Sequence, residues 1–240
     1  MKNPVWALLF LLFFSFSQGQ DSVHFYKVNR DSVKAAISDP AKPTYYSKLL
    51  KRLNEFDTTL TPTDYRLLYY GYVFDNGYSA YGSTEKGKIY KLLDDKKYLA
   101  ALNLSDSVLK SMPVSLSANL VKLVVLYTMS PDERSEYNKW KWRYHCLRDA
   151  VLSTGNGLTC ETAFKTIFVP DEYDLIRYFE IEETTQYLVG DCDMFDIKSA
   201  KYFDAKNIYF DTSETLKQLD DMFKISKQGL GHEGAADGCV

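Results

Sequence analysis

The sequence predicts an α+β fold: N-terminal antiparallel, repeat-like helices, then a small antiparallel sheet with a C-terminal helix. Three observations carry this. Apolar residues recur at helical spacing from Tyr45 to Val151. After Ser153 the pattern changes to short alternating or aromatic segments divided by turn residues. Charge changes sign near the same place: residues 20–160 hold 20 Lys and Arg against 15 Asp and Glu, whereas 161–224 hold 7 against 15. That asymmetry favours docking of the two parts over an acidic face that meets a cation or a basic partner.

The chain opens MKNPVWALLFLLFFSFSQGQD. Lys2, an apolar run from Val5 to Phe16 and the small residues Ser17 and Gly19 have the three-part layout of a secretory signal peptide, with cleavage near Gly19/Gln20. Residues 1–19 are therefore expected to be removed. The mature chain is expected in the periplasm or outside the cell, with no membrane span.

The helical region is placed at 20–152. Tyr45, Tyr46, Leu49, Leu50, Leu53 and Phe56 form the first stripe. In TLTPTDYRLLYYGY, Thr61 caps, Pro62 suits the first turn, and Asp64 completes a relaxed capping box. Tyr98, Ala101, Leu102, Ser105, Val108, Leu109 and Met112 make the most regular stripe, and Pro113 stops it. Leu116, Leu120, Leu123, Val124 and Tyr127 follow. Pro131 then opens a helix with Tyr137, Trp140, Tyr144, Leu147 and Val151 on one face and Trp142 and Cys146 on the other, which reads as burial on two sides.

STGNG, residues 153–157, ends that helix, with Gly155 suited to a left-handed cap. Strands are expected at 163–169, 185–190, 194–198 and 207–211. Between them PDEYDLIRYF opens as a short helix with Pro170 and acids in its first turn. Ser213 caps a last helix to about Lys224, and 225–240 read as a disordered tail.

KKYLAALNLSDSVLKSMP resembles the second half of a tetratricopeptide repeat, although no 34-residue period recurs. Read in order, DTTLTPTDYRLLYYGYVF, YSAYG, LRDAVLSTGNGLTCETAF, DEYDLIRYF, YLVGDCD and IYFD resemble a family of secreted proteins from Bacteroidetes-type bacteria, catalogued as a domain of unknown function. The resemblance covers roughly residues 40–224. It implies secretion, a helical front and a mixed back, and it carries no activity. Cysteine count alone leaves the pairing of Cys146, Cys160, Cys192 and Cys239 open. Two of them stand in resembling motifs, LTCETAF and GDCD, and on that ground Cys160 is paired with Cys192.

The stretch YYGYVFDNGYSAYG, residues 69–82, holds five tyrosines. Tyr69, Tyr70 and Tyr72 lie on a helix and read first as core with hydroxyls at the rim. Tyr78 and Tyr81 lie in a loop, where aromatics more often serve binding. Tyr69, Tyr72, Tyr78 and Tyr81 are the aromatic ligand-binding candidates. Glu172 and Asp193 are the acidic ones, out of the groups Asp171, Glu172, Asp174 and Asp191, Asp193, Asp196. Solvation or helix capping is the plainer role for these acids.

A net charge of −3 disfavours nucleic acid. Scattered His24, His145 and His232 and the lack of CxxC argue against a metal site. No nucleophile motif and no cofactor motif is present. The reading is a non-catalytic binding module for a protein or glycan partner. The alternatives are a carboxylate-dependent hydrolase of the cell envelope and a purely structural envelope protein. A deep pocket with Glu172 or Asp193 beside a second carboxylate favours the enzyme, and a shallow aromatic surface favours the binder.

Overall fold

The structure, a computed structural model, describes residues 24–129 and 134–230. The expected leader, Pro131, His232 and Cys239 lie outside the described residues.

Among the described residues seven α-helices come first. They are α1 (Arg30–Ile37), α2 (Tyr46–Asn54), α3 (Pro62–Gly71), α4 (Lys86–Asp94), α5 (Tyr98–Ser111), α6 (Leu116–Met129) and α7 (Arg134–Leu152). The Thr61 cap forms as expected: its hydroxyl accepts from Asp64 N, and the Asp64 carboxylate accepts from Thr61 N at 2.8 Å. α1 and α4 were not anticipated, and each buries only one or two apolar side chains. α7 buries Tyr144, Leu147, Ala150 and Val151 but leaves Trp142 56% exposed, so its second face is only partly covered.

The back half holds β1 (Phe164–Lys165), α8 (Val169–Tyr178), β2 (Ile181–Val189), β3 (Cys192–Ala200), β4 (Asn207–Asp211) and α9 (Ser213–Leu230). The sheet order is β1-β4-β3-β2. β2–β3 and β3–β4 are antiparallel, as expected, but β1 runs parallel to β4, so the sheet is mixed. A parallel neighbour needs a long crossover, and α8 with the β2–β3 hairpin supplies it. The expected strand at 163–169 shrinks to two residues because Val169 already opens α8. β2 is one edge of the sheet, opposite β1, and only Ile181 of it is buried.

Gly155 does not adopt the left-handed backbone; Gly157 does, at φ +71°. Gly155 is needed for close approach instead, since a Cβ there would stand 2.1 Å from the Thr162 carbonyl oxygen. The last helix continues to Leu230, beyond its expected end.

One buried cluster runs from Val33 through α3, α5, α6 and α7 to Phe195, Ile208 and Phe210 of the sheet. Helices and sheet therefore share a core. Two ion pairs join front to back, Arg30 with Glu214 and Lys86 with Asp174 at 3.0 Å. Among the described residues no helix is long and apolar enough to cross a membrane. The disulfide Cys160–Cys192 ties the turn before β1 to the start of β3, with the Cα atoms 5.9 Å apart.

Candidate functional site

The tyrosine stretch is a clamp on the connection between β1 and α8. Tyr69 is fully buried; its hydroxyl donates to Asp171 Oδ2 at 2.9 Å and accepts from Ile167 N at 3.3 Å. Tyr70 donates to the Lys165 carbonyl at 3.0 Å, and Tyr78 to the Ile167 carbonyl at 2.6 Å. Tyr72 is buried against Phe168 and donates to the Ser111 carbonyl. Irregular backbone at 165–168 needs partners inside an apolar core, and tyrosine brings an apolar body with a polar tip. The loop carrying Tyr78 is held down as well. Gln218 of α9 donates to the Tyr78 carbonyl and accepts from Ala80 N, while Val169 N donates to the Ala80 carbonyl. Tyr81 alone of the five faces solvent, at 54% exposure.

The acids of α8 are buried rather than solvated. Asp171 accepts from the Ser115 hydroxyl and Ser117 N on one oxygen, and from Leu116 N and the Tyr69 hydroxyl on the other, all at 2.9–3.0 Å. It therefore caps α6, a helix distant in sequence, rather than its own. Burial pushes its carboxyl up to about 7, against the pull of those N–H groups. Asp174 binds Lys86 and Arg177 at 3.0 and 2.8 Å.

The structure brings Glu172 and Asp193 together. Burial first, then the neighbouring Asp193, raises the Glu172 carboxyl well above its ordinary value, and burial raises Asp193 as well. Glu172 therefore holds its proton to a higher pH than an ordinary glutamic acid. Thr166 donates to Glu172 Oε1, and Glu172 Oε2 has no partner. Gln186 donates to Asp193 at 2.9 Å and accepts from the Tyr173 hydroxyl at 2.9 Å.

A second arrangement was not singled out in the sequence. An open groove of about 490 Å³ lies between α2, α5 and α7. Leu50, Leu109, Phe56 and Trp140 wall it, and Arg143 lies at its base. Phe56 and Trp140 meet edge to face with ring centres 5.1 Å apart. The Arg143 guanidinium sits 4.8 Å from the Trp140 ring centre and donates to the Pro113 carbonyl at 2.6 Å and to Asn54 Oδ1 at 3.3 Å. It is 3% exposed, and its Nε–H has no partner. Burial lowers its pKa to about 10, so it stays charged at neutral pH. The available signal was a charged residue three positions after Trp140, beside an otherwise apolar helical stripe. A second buried cation, Lys122, reaches Asp106 at 2.5 Å and lies 5.5 Å from the Trp140 ring centre.

Cys146 is a half-buried free thiol raised by burial, in an apolar cleft with Tyr65 and the exposed Trp142. Among the described residues no group of three or more His, Cys, Asp or Glu is placed to hold a metal ion.

The family model described as "Domain of unknown function (DUF4919)" matches residues 31–221. No curated protein and no solved structure matches the chain.

Proposed function

We propose, from the premise that the chain belongs to this domain-of-unknown-function family, that it is a non-catalytic binding module exported from the cytoplasm. The observation that carries the reading is the groove between α2, α5 and α7. It offers a semi-exposed aromatic pair, aliphatic walls and a cation already desolvated. Such a mixture of apolar wall and a few fixed polar groups is what ligand sites share. The partner is a protein or a glycan. Export rests on the signal-peptide layout at 1–19, and the Cys160–Cys192 disulfide suits an oxidising compartment.

The test is thermal shift of wild type and Trp140→Ala against peptides and oligosaccharides, with Tyr78→Ala/Tyr81→Ala alongside. A stabilising ligand whose effect is lost in Trp140→Ala supports the groove, because a ligand that binds only the native state raises Tm. A shift lost only in the tyrosine variant moves the site to the loop. No shift from either class sinks the binding reading.

The Glu172–Asp193 pair favours a second reading, a carboxylate-dependent hydrolase. Glu172 kept neutral beside a half-buried Asp193 is the polarisation an acid/base pair uses. Neither residue lines the groove between α2, α5 and α7 or the Cys146 cleft, and Glu172 is fully buried, so the pair ranks second.

A further inference from the structure

We infer, resting on the binding reading of the same groove, that its ligand is the C-terminal end of a peptide, with a free α-carboxylate against Arg143 and an apolar last side chain between Phe56 and Trp140.

The argument starts from unbalanced charge. Three other cations set into the protein have carboxylates: Lys86 has Asp174, Lys122 has Asp106, and Arg30 has Glu214; Arg66, which like Arg143 has an unpartnered Nε–H, is only half-buried and reaches the Thr63 hydroxyl and the Tyr26 ring. Arg143 is buried as deeply as Lys122 and makes no ion pair among the described residues. Its hydrogen bonds go to two neutral oxygens, and Nε–H goes unpaired. A buried cation without a counter-ion gives up its hydration with no charge to replace it, which destabilises the fold. The Trp140 ring, 4.8 Å from the guanidinium, offsets only part of that cost. The missing component is an anion with two oxygens, because the planar guanidinium fork matches a carboxylate. Lys110 on the groove wall adds a second positive charge, while Asp106 is neutralised by Lys122.

The walls choose among anions. A compact phosphate would fill the base of the groove and leave Leu50, Leu109, Phe56 and Trp140 uncovered. A sugar acid would bring hydroxyls to walls that offer only Asn54 and Asp106 as polar acceptors. An apolar residue ending in a carboxylate satisfies base and walls together. The alternative, that Arg143 only ties the Pro113 corner to α7, leaves ligand charge irrelevant, and the test separates the two.

The experiment is isothermal titration of the full chain with N-acetyl-Leu-Phe, with its C-terminal amide, and with glucuronic acid. The free acid should bind at least about tenfold more tightly than the amide, as expected for one charge-assisted pair. Arg143→Gln should erase that preference while the amide still binds, and Trp140→Ala should weaken acid and amide alike. If Arg143→Gln does not fold, the acid-to-amide ratio on wild type decides alone. Equal binding of acid and amide overturns the carboxylate inference and leaves the groove as a site. Binding of glucuronic acid but not of the peptide overturns the peptide assignment. If none of the three binds, the inference falls, and the thermal-shift panel decides whether the groove falls with it.

Discussion

Asp171 accepts four hydrogen bonds, two on each carboxylate oxygen, and two of the donors are backbone N–H groups of the first turn of α6. Hydroxyls of Ser115 and Tyr69 are able to rotate and find an acceptor elsewhere; the N–H groups of Leu116 and Ser117 are not. Asp171→Asn keeps the shape but turns one acceptor into a donor. One of those N–H groups then faces an NH2 and stays buried without a partner. We expect a loss of about 1–3 kcal/mol in urea unfolding, the usual cost of one orphaned buried donor. A change below about 0.5 kcal/mol would show that Asp171 is not the cap, since surface-like substitutions stay within that range. The same residue shows what a sequence hides. An acid in the first turn of a helix after a proline reads as a cap for that helix, because the reading sees only neighbours along the chain. Its true partner lies about 55 residues earlier and is visible only after folding.

The first turn of α8 also sets a pH dependence. Asp171, Glu172 and Asp193 all have folded pKa values raised above the ordinary 3.8 or 4.5 by burial. The folded state then holds protons that the unfolded chain has released. The stability these acids contribute is full below about pH 4 and is lost as pH rises, through about 7 for Asp171 and through a folded value well above the ordinary 4.5 for Glu172. His145, lowered by burial, acts in the opposite sense, with stability lost as pH falls below its ordinary value of 6.5. Glu172→Gln separates the contributions, because its amide keeps the shape of the neutral carboxyl beside Asp193 but cannot ionise. We expect the variant to lose less stability than wild type between pH 5 and 8, by up to about 1.4 kcal/mol per pH unit for one retained proton. Parallel curves would mean that the pair carries no shifted proton. Elements of this kind were legible where their signals are local. The α3 cap lies within Thr61–Asp64, and β4 shows its alternation in Ile208 and Phe210. α1 and α4 bury too little to leave a stripe, and the parallel β1–β4 pairing joins residues too distant for any local pattern. The groove escaped for the same reason. It is assembled from α2, α5 and α7, and no one segment contains its chemistry.

At the scale of the whole molecule, the tyrosines and the disulfide perform related tasks on opposite sides of the β1–α8 connection. The hydroxyls of Tyr69, Tyr70 and Tyr78 tie the helical front to residues 165–171, and Cys160–Cys192 ties the turn before β1 to the sheet. Because the buried cluster is continuous from Val33 to Phe210, neither half has a core of its own to fall back on. A change in charge along the sequence suggests two docked units; a shared core predicts that they unfold together. Cys160→Ser/Cys192→Ser frees a loop of sequence separation 32. Chain-entropy arguments put the loss at about 3–4 kcal/mol for a loop of that size. The test is urea unfolding of wild type and double variant, followed by near-UV and far-UV circular dichroism. With one core, the variant's midpoint falls and the two probes still coincide, since a cooperative domain unfolds as a unit. If the near-UV signal of the back half were lost first while the helical signal persisted, the sheet would be a separate unit held on by the disulfide. The tyrosine clamp would then be an interface between domains rather than part of a core. Tyr70→Phe settles which of these holds at a single bond. In a shared core, its cost of about 1 kcal/mol shifts both probes equally, whereas at a domain interface it separates them.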